Sequence, residues 1–129
     1  MIHRDRLTVF FDGGCRPNPG PIATAVVLRG RTHVRTDLGP GDSSEAEWLA
    51  LRHAVELAVA DGAADMLFVG DSTLVVEQAS GRWRCRSPHL QPHLAVFQDM
   101  IAAIPRWRLK QVPRSRNLAG IALARRLDA

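Results

Sequence analysis

The chain has 129 residues, 46% of them hydrophobic and 23% charged, with 17 Lys and Arg against 13 Asp and Glu for a formal charge of +4. That length supports one domain with a substantial core, and the composition excludes a disordered or low-complexity polypeptide. The basic balance, with an isoelectric point near 10.4, inclines the chain towards polyanionic partners, and no segment approaches the roughly 18 apolar residues of a membrane span.

Cys15 and Cys85 are the only cysteines and form no Cys-x-x-Cys pair, which points to a reducing compartment rather than a disulfide scaffold. Met1 to Arg6 is charged with no apolar signal core behind it, so a cytoplasmic monomer without membrane partners is expected.

Leu7-Thr8-Val9-Phe10-Phe11 has β-rich composition and reads as a strand running straight into Asp12. Residues 13–21, Gly-Gly-Cys-Arg-Pro-Asn-Pro-Gly-Pro, then read as a rigid turn-rich loop. Residues 23–28 and 32–38 are two further strands joined at Arg29-Gly30-Arg31, so the opening is an antiparallel meander. Asp42, Ser43 and Ser44 are N-cap candidates for a long, largely buried helix from Glu45 to about Ala60, with Glu47 in its first turns. Met66 to Val69 is all apolar, as expected of a strand covered on both faces, and leads through Gly70 into Asp71.

A second helix is predicted from Ser72 to about Ala79. Gly81 to Arg86 is basic around Trp83; if extended, Arg82, Arg84 and Arg86 share one side, facing phosphates, while Trp83 packs opposite. Ser87-Pro88 opens a helix to about Ile104, Trp107 to Val112 is a last strand, and Asn117 to Leu127 a last helix. The order β-β-β-α-β-α-α-β-α predicts a single α/β domain over residues 1–129, a mixed five-stranded sheet with helices on both faces.

Asp12, Glu47 and Asp71 each have an ordinary explanation as turn former or complement to a helix dipole. Asp12 and Asp71, however, stand at the sheet edge where ligands gather in such folds, and all three sit in richer patterns. These are Phe11-Asp12-Gly13-Gly14-Cys15-Arg16-Pro17-Asn18-Pro19-Gly20-Pro21, Ser44-Glu45-Ala46-Glu47-Trp48-Leu49-Ala50-Leu51 and Gly70-Asp71-Ser72. With Gly81-x-Trp83-x-x-x-Ser87-Pro88-His89-Leu90 and Val112-Pro113-Arg114-x-x-Asn117, the chain closely resembles type 1 ribonuclease H in its compact form, from about residue 7 to 125.

The resemblance implies a ribonuclease H-like fold and hydrolysis of the RNA strand of RNA–DNA hybrids with two divalent cations, Mg²⁺ or Mn²⁺. It assigns Asp12, Glu47 and Asp71 as the catalytic metal ligands. Hard oxygen ligands suit Mg²⁺, and two ions about 3.5–4 Å apart can serve both attacking and leaving oxygens of a phosphodiester. The resemblance also places Gly13, Gly14, Cys15 and Asn18 at the hybrid's minor groove, and Ser43 and Ser44 where the family has paired Asn. A serine hydroxyl there can still bond a 2′-OH. Ser72 follows the strand-end acid, and Arg114 matches a position near the scissile phosphate. Trp48 and Trp107 read as core; His89 and His93 have a zinc-like spacing with no further ligand in view.

Where the family carries Asn-x-x-x-Asp at the last helix, this chain reads Asn117-Leu118-Ala119-Gly120-Ile121, with isoleucine in place of the fourth acid. The next acid, Asp128, lies about two helical turns further on. The expectation is a hybrid-directed endoribonuclease of reduced activity. The alternatives are a weak or silent nucleic-acid-binding module of the same fold, and a DNA-directed nuclease using the same three acids.

Overall fold

Side chains alternate across the first strand, β1 (Leu7–Cys15): Val9 and Phe11 enter one hydrophobic cluster and Phe10 packs on another, on the opposite face. The structure, a computed structural model, describes residues 6–128. After β1 come β2 (Gly20–Leu28), β3 (Arg31–Arg35) and β4 (Pro40–Gly41), then α1 (Ser43–Asp61), β5 (Asp65–Gly70) and α2 (Thr73–Ala79). The chain continues through α3 (Gln91–Ile101), β6 (Arg106–Gln111), a 3-10 turn over Arg114–Arg116 and α4 (Leu118–Asp128).

The sheet order is β3-β2-β1-β5-β6, with β2 antiparallel to β1 and β3, and β5 parallel to β1 and β6. The first face buries Val9, Phe11, Val26, Trp48, Leu51, Phe68 and Phe97, drawing on α1 and α3 as well as the sheet. On the other face α4 supplies Ala119 and Leu123 against Ala23 and Ala25. The expected α/β architecture, a mixed sheet between helices, is what the chain forms, with the two-residue β4 as a sixth strand paired to β2.

Several boundaries differ from the sequence expectation. β1 does not stop before Asp12: its antiparallel pairing runs on through Asp12↔Ala25 to Cys15↔Ile22. The two glycines do not break it, because β2 runs alongside them, Gly13 opposite Thr24 and Gly14 opposite Ala23. Asp12 instead marks where the parallel partner falls away, since β1 pairs β5 only from Leu7 to Phe10. The loop shrinks to Arg16–Pro19, whose Arg16–Pro17 and Asn18–Pro19 peptides are cis. β3 ends at Arg35, and α3 begins at Gln91, after a turn in which the Ser87 carbonyl accepts from Leu90 N and Gln91 N.

The start of the basic stretch, Gly81–Trp83, is turned rather than extended. The backbone N–H groups of Arg82 and Trp83 both donate to the Glu77 carbonyl, and the Arg82 guanidinium forks onto the Glu77 carboxylate at 2.6 and 3.1 Å. Arg82 is therefore engaged within the fold, and Trp83 is half exposed rather than packed.

α1 opens on Asp42, whose carboxylate accepts from Glu45 N at 2.8 Å, and closes on Gly62 at φ 76°. That cap fixes where the first turns of α1, with Glu47, meet the sheet.

Candidate active site

Asp12 lies within β1, Glu47 in the second turn of α1, and Asp71 immediately after β5. Each offers a carboxylate oxygen, and these oxygens lie within 4.8 Å of one another. The close approach of α1 depends on Gly13: a Cβ there would collide with the Ala46 carbonyl. Its backbone N–H donates to Glu47 Oε1 at 2.8 Å. The space that a side chain at Gly13 would fill is thus occupied by α1.

Asp71 is held by Asn117, a residue that sequence reasoning used only as part of a motif. Asn117 is fully buried; its Nδ2 donates to Asp71 Oδ2 at 3.0 Å and to the Phe11 carbonyl at 2.9 Å, while its Oδ1 accepts from Ala119 N at 3.1 Å. One amide joins β1, the residue after β5 and the first turn of α4. The available signal was an amide of helix-capping type directly before an apolar helix.

Asp12 and Glu47 are 1% and 8% exposed, and both Asp12 oxygens and Glu47 Oε2 have no hydrogen-bond partner. Buried polar atoms are normally satisfied, and those left over call for a ligand. Burial pushes the Glu47 carboxyl well above its ordinary range, and the charge of Asp12 adds to this. Burial also raises Asp12, with Asp71 contributing and the Arg114 guanidinium opposing. Three crowded carboxylates, with buried unpartnered oxygens on Asp12 and Glu47, make an all-oxygen donor set of the kind that suits a hard divalent cation. The residues present fit such an ion.

Among the described residues, α4 brings no carboxylate to this cluster. A Cβ at Gly120 would stand 3.5 Å from both Asp12 Oδ2 and Asp71 Oδ2, so this α4 position beside the cluster has no side chain. Ile121, whose N–H donates to the Asn117 carbonyl, is 39% exposed. The side chain of Asp128 lies outside the described residues.

A groove of about 250 Å³ is lined by Asp12, Gly13, Gly14, Cys15, Asn18 and Ser43, with Arg114 also in its wall. Asn18 and Ser43 hold each other across it: Ser43 N donates to Asn18 Oδ1 at 3.2 Å, and Asn18 Nδ2 donates to Ser43 Oγ at 3.3 Å. Cys15 lines the groove while packing with Ile22 and Ala46, and its Sγ donates to Asn18 Oδ1 at 3.5 Å. Ser44 sits in the first turn of α1, and Ser72 caps α2 by accepting from Val75 N at 3.3 Å; neither is among the groove walls. His89 and His93 bond Asp42 Oδ2 (2.9 Å) and Glu45 Oε2 (3.2 Å), pinning the chain around the start of α3 to the start of α1.

Residues 10–127 match the family model described as reverse transcriptase-like. The chain is 32% identical over 124 residues to ribonuclease HI of Halobacterium salinarum, covering 92% of this chain and 62% of that protein. The crystal structure of ribonuclease H1 from that archaeon superposes with a TM-score of 0.87 at 32% identity, covering 96% of this chain and 98% of the other. A bifunctional protein of Mycobacterium tuberculosis is 32% identical over 125 residues, 92% of this chain and 34% of its own. LC11 ribonuclease H1, crystallised in complex with an RNA/DNA hybrid, is similar with a TM-score of 0.75 and 29% identity, over 87% of this chain and 88% of that one. The chain thus spans less than two thirds of the length of either curated relative.

Proposed function

This chain belongs to the ribonuclease H-like family, and on that premise we propose that it is an endoribonuclease cutting the RNA strand of RNA–DNA hybrids with two divalent cations, Mg²⁺ or Mn²⁺. The observation that carries the reading is the set of carboxylate oxygens from Asp12, Glu47 and Asp71 within 4.8 Å, three oxygens of the site being buried and unpartnered. When bound, the ions would supply Lewis-acid polarisation of the phosphate and activation of water.

The chain's own groups prepare that site. Gly13 N–H occupies Glu47 Oε1 and leaves Oε2 free; Asn117 orients Asp71 through Oδ2. Arg114, exposed on the groove that Asp12 also lines, would meet a phosphate or stabilise developing charge. Gly14, Asn18 and Ser43 form the wall along which a nucleic-acid strand would lie, with the Ser43 hydroxyl able to read a 2′-OH. Ser44 and Ser72 complete the substrate contacts in this reading, and the chain acts as a single-domain monomer in the cytoplasm. No helix among the described residues is long and apolar enough to cross a membrane.

Isoleucine at 121 in place of the family's fourth acid would leave the ions with one carboxylate fewer to hold them, and misplacement by about 1 Å costs on the order of 10²-fold in rate. That same feature favours the second reading, a module that binds hybrid with little or no turnover. Labelled hybrid, duplex RNA and duplex DNA, each incubated with Mg²⁺ and with Mn²⁺, separate these readings. The proposal expects slow cutting of the hybrid's RNA strand alone, abolished by Asp71→Asn. Hybrid bound yet uncut with either ion would establish the binding module, and cleavage of duplex DNA with hybrid intact would establish a DNA-directed nuclease.

A further inference from the structure

The chain's positive excess lies in one segment. Met100 to Leu127 contains seven of the 17 Lys and Arg residues and none of the 13 Asp and Glu, so the rest of the chain is net acidic. β6 displays the first three of these cations, Arg106, Arg108 and Lys110, and all are exposed. Trp107 and Leu109 turn inward onto the core, Trp107 edge-on to Phe97 at 5.6 Å. Strand alternation therefore puts the three cations together on the opposite sheet surface. That is the face on which α4 packs, but α4 packs chiefly against β1, β2 and β3, and Arg106, Arg108 and Lys110 on β6 stay exposed among the described residues.

Their charge is not neutralised within the fold. Arg29, Arg35 and Arg82 each fork onto a carboxylate, Asp61, Glu56 and Glu77 respectively. Arg106, Arg108 and Lys110 make no ion pair among the described residues, although Asp65 is the register partner of Arg106. The row also points at the carboxylate cluster: Lys110 pairs with Val69, Gln111 Nε2 donates to the Asp71 carbonyl at 3.4 Å, and Arg114 follows at the groove. Alternate residues of a strand are spaced by about 6.6 Å, close to the rise of about 6.8 Å per two phosphates of one nucleic-acid strand.

We propose that Arg106, Arg108 and Lys110 form a second phosphate-contact surface, which holds nucleic acid extending beyond the stretch at Asp12, Glu47 and Asp71. The inference rests on the hybrid-directed reading of that site and extends its footprint by about four base pairs along β6. Phosphates suit the surface better than a protein partner does, because it offers evenly spaced cations without the aromatic anchor of a protein interface.

The test uses the full chain and a variant carrying Arg106→Gln, Arg108→Gln and Lys110→Gln. Anisotropy without divalent ions measures binding to hybrids of about eight and about 18 base pairs, between about 50 and 200 mM salt. The variant is expected to match the parent on the short hybrid within about twofold. On the long hybrid it should bind about tenfold more weakly at low salt, with a slope of log affinity against log salt shallower by about two to three. Replacing the same three positions with Lys, Lys and Arg should restore the long-hybrid affinity, which separates charge from folding.

An unchanged slope would overturn the proposal and leave these charges as guards of an edge strand. Equal losses on both hybrids would also overturn it, as would poly-glutamate displacing the long hybrid better than unlabelled hybrid does. Turnover of the short hybrid by the parent protein reads the catalytic proposal separately: its absence would sink that reading while a length-dependent salt slope still stood.

Discussion

Asn117 and Asp71 are joined by a 3.0 Å hydrogen bond, and the same amide nitrogen reaches the Phe11 carbonyl at 2.9 Å, 106 residues away along the chain. An acid beyond the end of β5 would otherwise be free to rotate. Asn117→Ala leaves the Phe11 carbonyl and Ala119 N–H without this partner in a buried place, at a cost of about 1–3 kcal/mol each. The expected result is a fall in melting temperature together with weaker Mg²⁺ binding by titration calorimetry. A variant that melts earlier yet binds Mg²⁺ like the parent would show that Asn117 holds the fold without positioning Asp71.

Glu47 provides a prediction of opposite sign. Burial and the neighbouring Asp12 raise its folded-state pKa above the ordinary carboxylate value. Between that ordinary value and the raised one, the native state retains a proton the unfolded chain has released, so stability is highest below this window and falls as pH rises through it. Glu47→Gln, which can still accept from Gly13 N–H, should therefore melt about 3–6 °C above the parent at pH 8 in metal-free buffer. The two should converge near pH 4. Saturating Mg²⁺ should favour the parent instead, because ligand binding to the native state adds stability by mass action. Parent and variant melting together at pH 8 without metal would contradict the electrostatic account.

Much of this site was legible in the sequence, and the parts that were not share a physical cause. Asp12 and Asp71 could be found because β-rich runs lead straight into them, and Glu47 because a capped helical pattern opens just before it. Local composition carries those signals. The continuation of β1 through Gly13-Gly14 could not be seen, since it depends on pairing with β2. Arg82 read as a free cation because its partner Glu77 meets it only when the chain turns at Ser80-Gly81. Asn117 was quoted within a motif, but its partners lie on β1 and beyond β5, and no local pattern names them.

Ile121 offers the most direct test of the proposed catalytic site. It is one residue beyond Gly120, whose missing side chain leaves the α4 side of the cluster open, and at 39% exposure it contributes little to the core. Ile121→Asp should change stability by only about 0.5 kcal/mol, as surface substitutions do. It should raise hybrid cleavage in Mg²⁺ by about 10- to 100-fold, with a smaller gain in Mn²⁺. Single-turnover assays at saturating enzyme read this directly. A flat response would mean that the helix does not deliver position 121 to the ions.

His53 lies outside this site and carries its own pH dependence. It is 3% exposed, its Nδ1 is 2.9 Å from Thr24 Oγ1, and burial, followed by the charge of Arg35, lowers its pKa to about 4. Between about pH 4 and 6.5 the unfolded chain binds a proton that the folded one refuses. The stabilisation is complete above about pH 6.5 and is lost as pH falls towards 4, amounting to about 3 kcal/mol. Urea unfolding at pH 7.5 and 4.5, for the parent and for His53→Gln, isolates the effect because Glu56, Asp42 and the carboxylate cluster are common to both proteins. The parent should lose about 2 kcal/mol more than the variant on acidification. Equal losses would mean that the imidazole accepts its proton in the fold as readily as in the open chain, with Thr24 and Arg35 exerting no hold on it.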